Sequence, residues 1–421
     1  MPTSHYVSSI RPKEIVLDDN THPDHSPVAR CLKTHVSSQH SRDNPEEESF
    51  FVVDLGEVHR QHSRWIRNLK RVKPFYVPAV KCNPDVEVLR LLARLGTGFD
   101  CSSRHEIEQC LDLGVDSNRI LYANPCKAKS HIRYARSMGV RRMTFDSTDE
   151  LYKIKAIFPD AELLLRIATD DSSSICGFNQ KFGAPLESTR QLLEVASQLG
   201  LEIAGVSFHV GTASINPRVF VQAVRDSRIV FDLAQELGHS LRVLDVGGGF
   251  STGSFEAISQ TLATALDEYF SGDIELISEP GRYFVESAFT LACNIIARRG
   301  IGKEASCPSY MLYLNDGVYR NFMDCLLSHW RPKPRILNST SENMPRKEIH
   351  YSIWGPTCDG VDQIIEDVAL PKDLDVGDWL YFENMGAYTS CLATSFNGFS
   401  SKQIVYYVSS EPTERALALS L

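Results

Sequence analysis

The sequence predicts an α/β protein, a (β/α)8 TIM-like barrel followed by a mostly β domain. Three observations predict it. Between residues 75 and 279, eight short apolar runs alternate with segments of helical periodicity. After about residue 290 that periodicity fades, and β-branched and aromatic runs punctuated by Gly and Pro replace it. The length, 421 residues, exceeds one comfortable core. A doubly wound sheet is the competing arrangement; the count of eight favours the barrel.

In chain order, residues 1–48 are polar and rich in Ser, His, Pro and Asp, and much of this segment is expected to be flexible. Order is expected to begin at Phe51-Val52-Val53-Asp54-Leu55, with the barrel over residues 49–288. Its strands read as Phe75–Val80, Gly98–Cys101, Ile120–Asn124, Arg142–Asp146, Leu163–Ala168, Gly205–Val210, Val243–Gly247 and Ile274–Glu279. Segments such as Glu106–Leu111 and Phe220–Val224 supply the intervening helices. Residues 289–421 form the β-rich domain, with strands expected at Met311–Leu314, Glu348–Trp354, Trp379–Phe382 and Ile404–Val408. Residues Glu411–Leu421 read as a short helix or a tail.

Composition excludes several function classes. The net charge of −9, with no dense Lys/Arg run, argues against a nucleic-acid partner. No apolar run is long enough to span a membrane, and Met1–His5 lacks the features of a secretory signal, so a cytoplasmic protein is expected. The 11 cysteines, without Cys-x-x-Cys spacing, read as reduced thiols, and no metal site is expected.

In such a barrel, chemistry sits at the C-terminal ends of the strands. Those ends carry Lys81, Asp100, Asn124, Asp146, Arg166, His209, Gly247-Gly248-Gly249 and Glu279. A lysine after a strand is ordinarily a solvated surface group, and a histidine there is as readily a packed core residue. Seven further ends with reactive or phosphate-compatible groups point instead to an enzyme. Glycines at 247–249 let backbone N–H groups approach an anion, and Glu279-Pro280-Gly281-Arg282 adds a guanidinium suited to phosphate. A phosphate cradle, a lysine that can form a Schiff base and a buried acid together suggest pyridoxal 5'-phosphate, with Glu279 at the ring nitrogen and His209 on the ring face.

The motifs then resemble a family. Ala79-Val80-Lys81-Cys82-Asn83, Phe99-Asp100-Cys101-Ser102-Ser103, Leu121–Lys127, Leu165–Asp171, Ser207-Phe208-His209-Val210-Gly211, the triple glycine, Glu279–Tyr283, Gly355-Pro356-Thr357-Cys358-Asp359 and Gly386-Ala387-Tyr388-Thr389 occur in the order found in eukaryotic ornithine decarboxylases. These belong to the alanine-racemase-like class of pyridoxal phosphate enzymes, and the resemblance runs from about Phe51 to Val408. It implies that Lys81 anchors the cofactor covalently, that Asp100, Glu106 and Arg166 surround it, that His209 stacks on its ring and that Glu279 pairs with its nitrogen. It implies a phosphate site from Thr212, Gly248, Gly249, Gly281, Arg282 and Tyr388. It further implies a head-to-tail homodimer in which Cys358 and Asp359 come from the second subunit, with Tyr319 and Phe396 near the site and interface. The reaction implied is α-decarboxylation of an amino acid, with Cys358 returning a proton to Cα.

Three departures stand out. Val77-Pro78 is inserted just before Lys81, where a proline predicts a bulge. Thr212-Ala213-Ser214 replaces the family's Ser-Gly-Cys near the phosphate. Ser328 stands nine residues after Tyr319, where the family has an aspartate that helps hold ornithine's distal ammonium. Losing such a charge-assisted hydrogen bond costs roughly 1.5–3 kcal/mol. The expectation is a specialised paralogue acting on an ornithine-like amino acid with a larger or less basic distal end, as in fungal alkaloid pathways of the loline type. The alternatives are an ordinary ornithine decarboxylase making putrescine for polyamines and a non-catalytic relative like the antizyme inhibitors. A racemase is a third, disfavoured by Gly355–Asp359.

Overall fold

The computed structural model describes residues 26–40, 48–76, 81–170, 180–212, 216–270, 272–300, 309–328, 330–338 and 349–411. The chain divides into two units, Arg60–Glu286 and a second made of the residues up to His59 together with those from Ser287 onward. The first strand, β1 (Phe50–Asp54), belongs to the second unit. The next eight are β2 (Val72–Tyr76), β3 (Gly98–Cys101), β4 (Ile120–Tyr122), β5 (Arg142–Phe145), β6 (Glu162–Arg166), β7 (Glu202–Ser207), β8 (Val243–Asp245) and β9 (Glu275–Ser278). They pair in sequence, all parallel, and β9 closes onto β2.

Closure buries strand side chains on both faces, which is why these segments read as continuous apolar runs without alternation. Phe75, Leu121, Leu164, Ala204, Val243 and Ile277 pack together within the barrel unit. The helices are set by local signals. Asp85 caps Val86–Arg94 through the N–H groups of Glu87 and Val88, and Ser103 caps Arg104–Asp112 through that of Glu106. Trp65 packs against Phe250, Phe255 and Tyr283, and its indole N–H donates to the Val72 carbonyl at 3.0 Å. Among the described residues, no helix is long and apolar enough to cross a membrane.

The second unit is built on β10 (Phe289–Gly300), β11 (Ser309–Leu314), β12 (Pro334–Asn338), β13 (Ile349–Trp354), β14 (Gln363–Leu370), β15 (Trp379–Phe382) and β16 (Ile404–Val408). Their order is β12-β15-β10-β11-β13-β14, and β1 pairs antiparallel with β10 and parallel with β16. One expectation needs correction: the barrel does not begin at residue 49, because β1 is a strand of this sheet. Within the polar N-terminal segment, Pro27–His40 is a helix capped by Ser26, whose hydroxyl accepts the Ala29 N–H. Its Leu32 and Val36 are buried against Phe50, Val52, Trp379 and Val408, contacts that polar flanking sequence does not advertise. The bulge expected at Val77-Pro78 lies outside the described residues, as does the segment after Glu411.

Outside the barrel mouth, Lys127 and Glu150 form a buried ion pair at 2.9 Å, with side chains 0% and 4% exposed. The Lys127 ammonium also donates to the Thr144 and Asn124 carbonyls, so all three of its protons are used. Removing the carboxylate strands a cation in the interior. Glu150→Ala is expected to destabilise the protein by about 3–5 kcal/mol, read as a lowered urea midpoint; a loss within 0.5 kcal/mol, about the scale of a surface substitution, would refute it.

Candidate active site

Charged groups gather at the C-terminal ends of the barrel strands. Asp100 ends β3 and is 1% exposed. Neither of its carboxylate oxygens has a hydrogen-bond partner among the described residues. Burial and the neighbouring Glu279 push it up to about 8, against the opposing pull of Lys81 and Arg166. Glu106, in the first turn of its helix, is pushed up to about 7 by burial, although the Ser102 N–H donates to it. Lys81 acts electrostatically on Asp100, Glu106, His209 and Glu279, which places its ammonium among them.

His209 follows β7. Burial first, then Arg166 and Lys81, holds it well below the usual imidazole range, so the ring is neutral. The Gly211 N–H donates to its Nδ1 at 3.1 Å, which assigns the ring proton to Nε2. Thr169 donates to the His209 carbonyl and steadies the backbone. The glycine loop approaches this ring closely. A Cβ at Gly248 would fall 2.7 Å from His209 Nε2 and 2.9 Å from the Glu279 carbonyl oxygen. Gly247 has φ +62°, and its carbonyl accepts from both Ser278 Oγ and the Glu279 N–H at 2.7 Å.

Glu279 is raised well above the usual carboxyl range by burial and by Asp245. Asp245 is pushed up to about 7 by burial, although the Gly247 N–H donates to it at 2.9 Å. Asp245 thus lies close enough to Glu279 to raise it, and burial favours the protonated form of both. Asp245 is a site residue that sequence reasoning passed over. It stands in the quoted Asp245-Val246-Gly247 motif, but the glycines drew the functional interpretation.

Other predicted positions fall differently. Arg166 ends β6 with its guanidinium over the Phe182 ring at 5.3 Å. Gly281 precedes the short helix Arg282–Val285, and Arg282 pairs with Glu286 at 3.2 Å. Thr212 is half-buried, while Ala213 and Ser214 lie outside the described residues. Asn124 and Asp146 serve loops: Asn124 bonds the Ser102 carbonyl and Cys126 N–H, and Asp146 accepts the Gly183 N–H.

A second cluster lies in the β-rich unit. The Tyr319 hydroxyl donates to Asp359, and its ring stacks on Phe396 at 4.3 Å. The hydrogen bonds from Tyr319 and the Val361 N–H hold Asp359 below the usual carboxylate range. Cys358 is exposed, and its N–H donates to Asn397 Oδ1 at 3.0 Å. Ser328 caps the short helix Asp324–Leu327, and its hydroxyl donates to the Asp324 carbonyl at 2.9 Å. Tyr388 sits in the left-handed region at φ +57°.

A neutral buried histidine, a lysine among carboxyls and a Cβ-free loop make a site of the pyridoxal phosphate type. The model of the pyridoxal-dependent decarboxylase family, pyridoxal binding domain, matches residues 55–286. The chain belongs to that family. It is 55% identical to the ornithine decarboxylase of Neurospora crassa, over 88% of this chain and 83% of the relative. It is 46% identical to decarboxylase flvG of Aspergillus flavus, over 91% of each. Among solved structures, the arginine decarboxylase of Paramecium bursaria Chlorella virus aligns with a TM-score of 0.84 and 34% identity, over 90% of this chain and 99% of that one. This decarboxylase uses pyridoxal phosphate, and the residues at its mouth fit the group: Asp100 has two unsatisfied oxygens, Gly248 leaves room beside His209, and Glu279 carries or shares a proton.

The raised carboxyls give a pH dependence. Asp100 and Asp245 titrate at about 8 and about 7 in the folded barrel, against 3.8 without burial. The folded state therefore holds extra protons between those values, and this contribution to stability is lost as pH rises. The urea midpoint of the cofactor-free decarboxylase is expected to fall from about pH 5 to about pH 8, and Asp100→Asn to flatten that fall. An equal slope in both proteins would refute the assignment.

Proposed function

We propose that this decarboxylase acts on an ornithine-like α-amino acid whose distal end is larger or less basic than ornithine's, in a biosynthetic role of the alkaloid type. What carries this reading is Ser328, whose hydroxyl is spent on the Asp324 carbonyl, so that position offers no carboxylate to a distal ammonium. Asp359 remains, held ionised by Tyr319, and would bind a single distal donor. The 46% identity to flvG is consistent with a specialised branch, while the Neurospora relative supports the ordinary activity on ornithine, which is the competing reading.

Pyridoxal phosphate, when bound, supplies an electron sink for the Cα–carboxylate bond. The chain's own residues do the rest. Lys81 would hold the group through its amine. Neutral His209 would line the group's site without adding charge, and Glu279, with Asp245 beside it, would hold a proton toward the ring nitrogen. Asp100, Glu106 and Arg166 balance the charge around Lys81. Thr212, Gly248, Gly249, Gly281 and Arg282 would hold its phosphate, with Tyr388 in the role the family resemblance implies. Cys358 carries on Sγ the proton that returns to Cα.

The same reading gives a homodimer with shared sites, acting in the cytoplasm. It is supported by the exposure of Cys358, of Val361 three residues on, and of Phe396, whose neighbour Asn397 accepts the Cys358 N–H. Mixing the two inactive variants Lys81→Ala and Cys358→Ala is expected to restore part of the activity, because one site of each mixed dimer is then intact. No recovery after subunit exchange would refute shared sites.

A panel of α-amino acids differing at the distal end, with carbon dioxide release measured, tests the substrate. Bulkier or less basic analogues are expected to exceed ornithine in kcat/KM, and Ser328→Asp to shift preference toward ornithine by about ten- to a hundredfold. Ornithine as the best substrate of the wild type, unchanged in Ser328→Asp, would overturn the specialised reading.

A further inference from the structure

Asp362 lies immediately before β14, in neither cluster's predicted set, and is 1% exposed. Its Oδ1 accepts the Val318 N–H at 2.8 Å, and its Oδ2 accepts the Thr357 N–H at 3.0 Å and the Thr357 hydroxyl at 2.6 Å. One carboxylate thus binds two loops: the loop carrying Tyr319 and the loop carrying Cys358 and Asp359. Its backbone reinforces the second, donating to the Asp359 carbonyl at 3.1 Å and accepting the Gly355 N–H at 2.8 Å.

Glycines on both sides make room for it. A Cβ at Gly317 would fall 2.3 Å from Asp362 Oδ1, and one at Gly355 would fall 2.2 Å from the same atom. No side chain fits at either position while the carboxylate stays where it is. Its three acceptor contacts go to Val318, next to Tyr319, and to Thr357, next to Cys358. Tyr319 then closes the arrangement by donating to Asp359.

We propose that Asp362 is a positioning residue for the reaction: its carboxylate clasps the Thr357-Cys358-Asp359 turn to the Val318-Tyr319 turn and so sets where the Cys358 thiol and the Asp359 carboxylate stand. This rests on the reading of Cys358 as the proton donor. A carboxylate is required because all three side-chain contacts are donors, and an amide offers one acceptor oxygen and an NH2 group that faces another donor. The clasp acts on geometry, so its loss appears in kcat through Cys358 and in KM through Asp359.

The test is a double-mutant cycle on the cofactor-loaded enzyme. Asp362→Asn is expected to lower kcat by on the order of ten- to a hundredfold, the scale of a small misplacement of a reacting group, with cofactor content unchanged. In the Cys358→Ala background the same substitution is expected to change kcat by less than about twofold. If Asp362→Asn does not fold, Thr357 decides: Thr357→Val should lower kcat in the same direction, and Thr357→Ser, which keeps the hydroxyl, should restore it. Losses from Asp362→Asn and Cys358→Ala that multiply independently would overturn the clasp, as would normal kcat in Asp362→Asn or Thr357→Val. Normal turnover by Cys358→Ala would instead remove the reading of Cys358, and the clasp with it.

Discussion

Burial of carboxyl groups at one end of a closed barrel is the constraint on which the rest of the site depends. Asp100, Asp245 and Glu279 are each under a tenth exposed. Taking an ionised carboxylate out of water costs far more than a protein's net stability, so such groups keep a proton or gather cations. Both responses are present. Burial raises Glu279 and Asp245 and so favours their protonated forms, and Lys81 and Arg166 supply positive charge to the group. Burial first, then the same two cations, keeps His209 neutral. An arrangement that only offsets desolvation thus also sets the protonation states that a pyridoxal phosphate enzyme needs.

Backbone geometry is the second constraint. His209, the glycine loop and Glu279 approach closely enough that a single Cβ at Gly248 would meet two of them. The loop is held by hydrogen bonds to one carbonyl, that of Gly247, from two successive residues at the end of β9. Mobility at these glycines is therefore not their use; their use is the space they leave. In the β-rich unit, Gly317 and Gly355 do the same for Asp362.

The proposed specificity rests on a smaller difference. An aspartate and a serine at position 328 differ by one charge-assisted hydrogen bond, yet the serine has a local partner in the last turn of its own helix. Serine satisfies itself on backbone in a way that a carboxylate, an acceptor only, cannot reproduce at a carbonyl. The substitution therefore removes a charge without leaving an unsatisfied group, which makes it compatible with a stable fold and a changed substrate.

The barrel was legible from the sequence because strands buried on both faces must be apolar, and because glycine, proline and capping residues punctuate them at fixed intervals. Seven strand ends named from sequence stand at or next to the ends of β3–β9. The β-rich unit was legible only in part: β10, β12 and β14 lie where charged or polar residues interrupt the run, and β1 ends at Asp54, 235 residues before its partner β10 begins at Phe289. Single residues carried a type but not a setting. Lys81, His209 and Glu279 were nameable by their chemistry. Which carboxyls hold protons, which strand-end groups merely tie loops, as Asn124 and Asp146 do, and that Asp362 joins two turns were decided by burial and by hydrogen bonds between segments far apart in the chain, which no local pattern encodes.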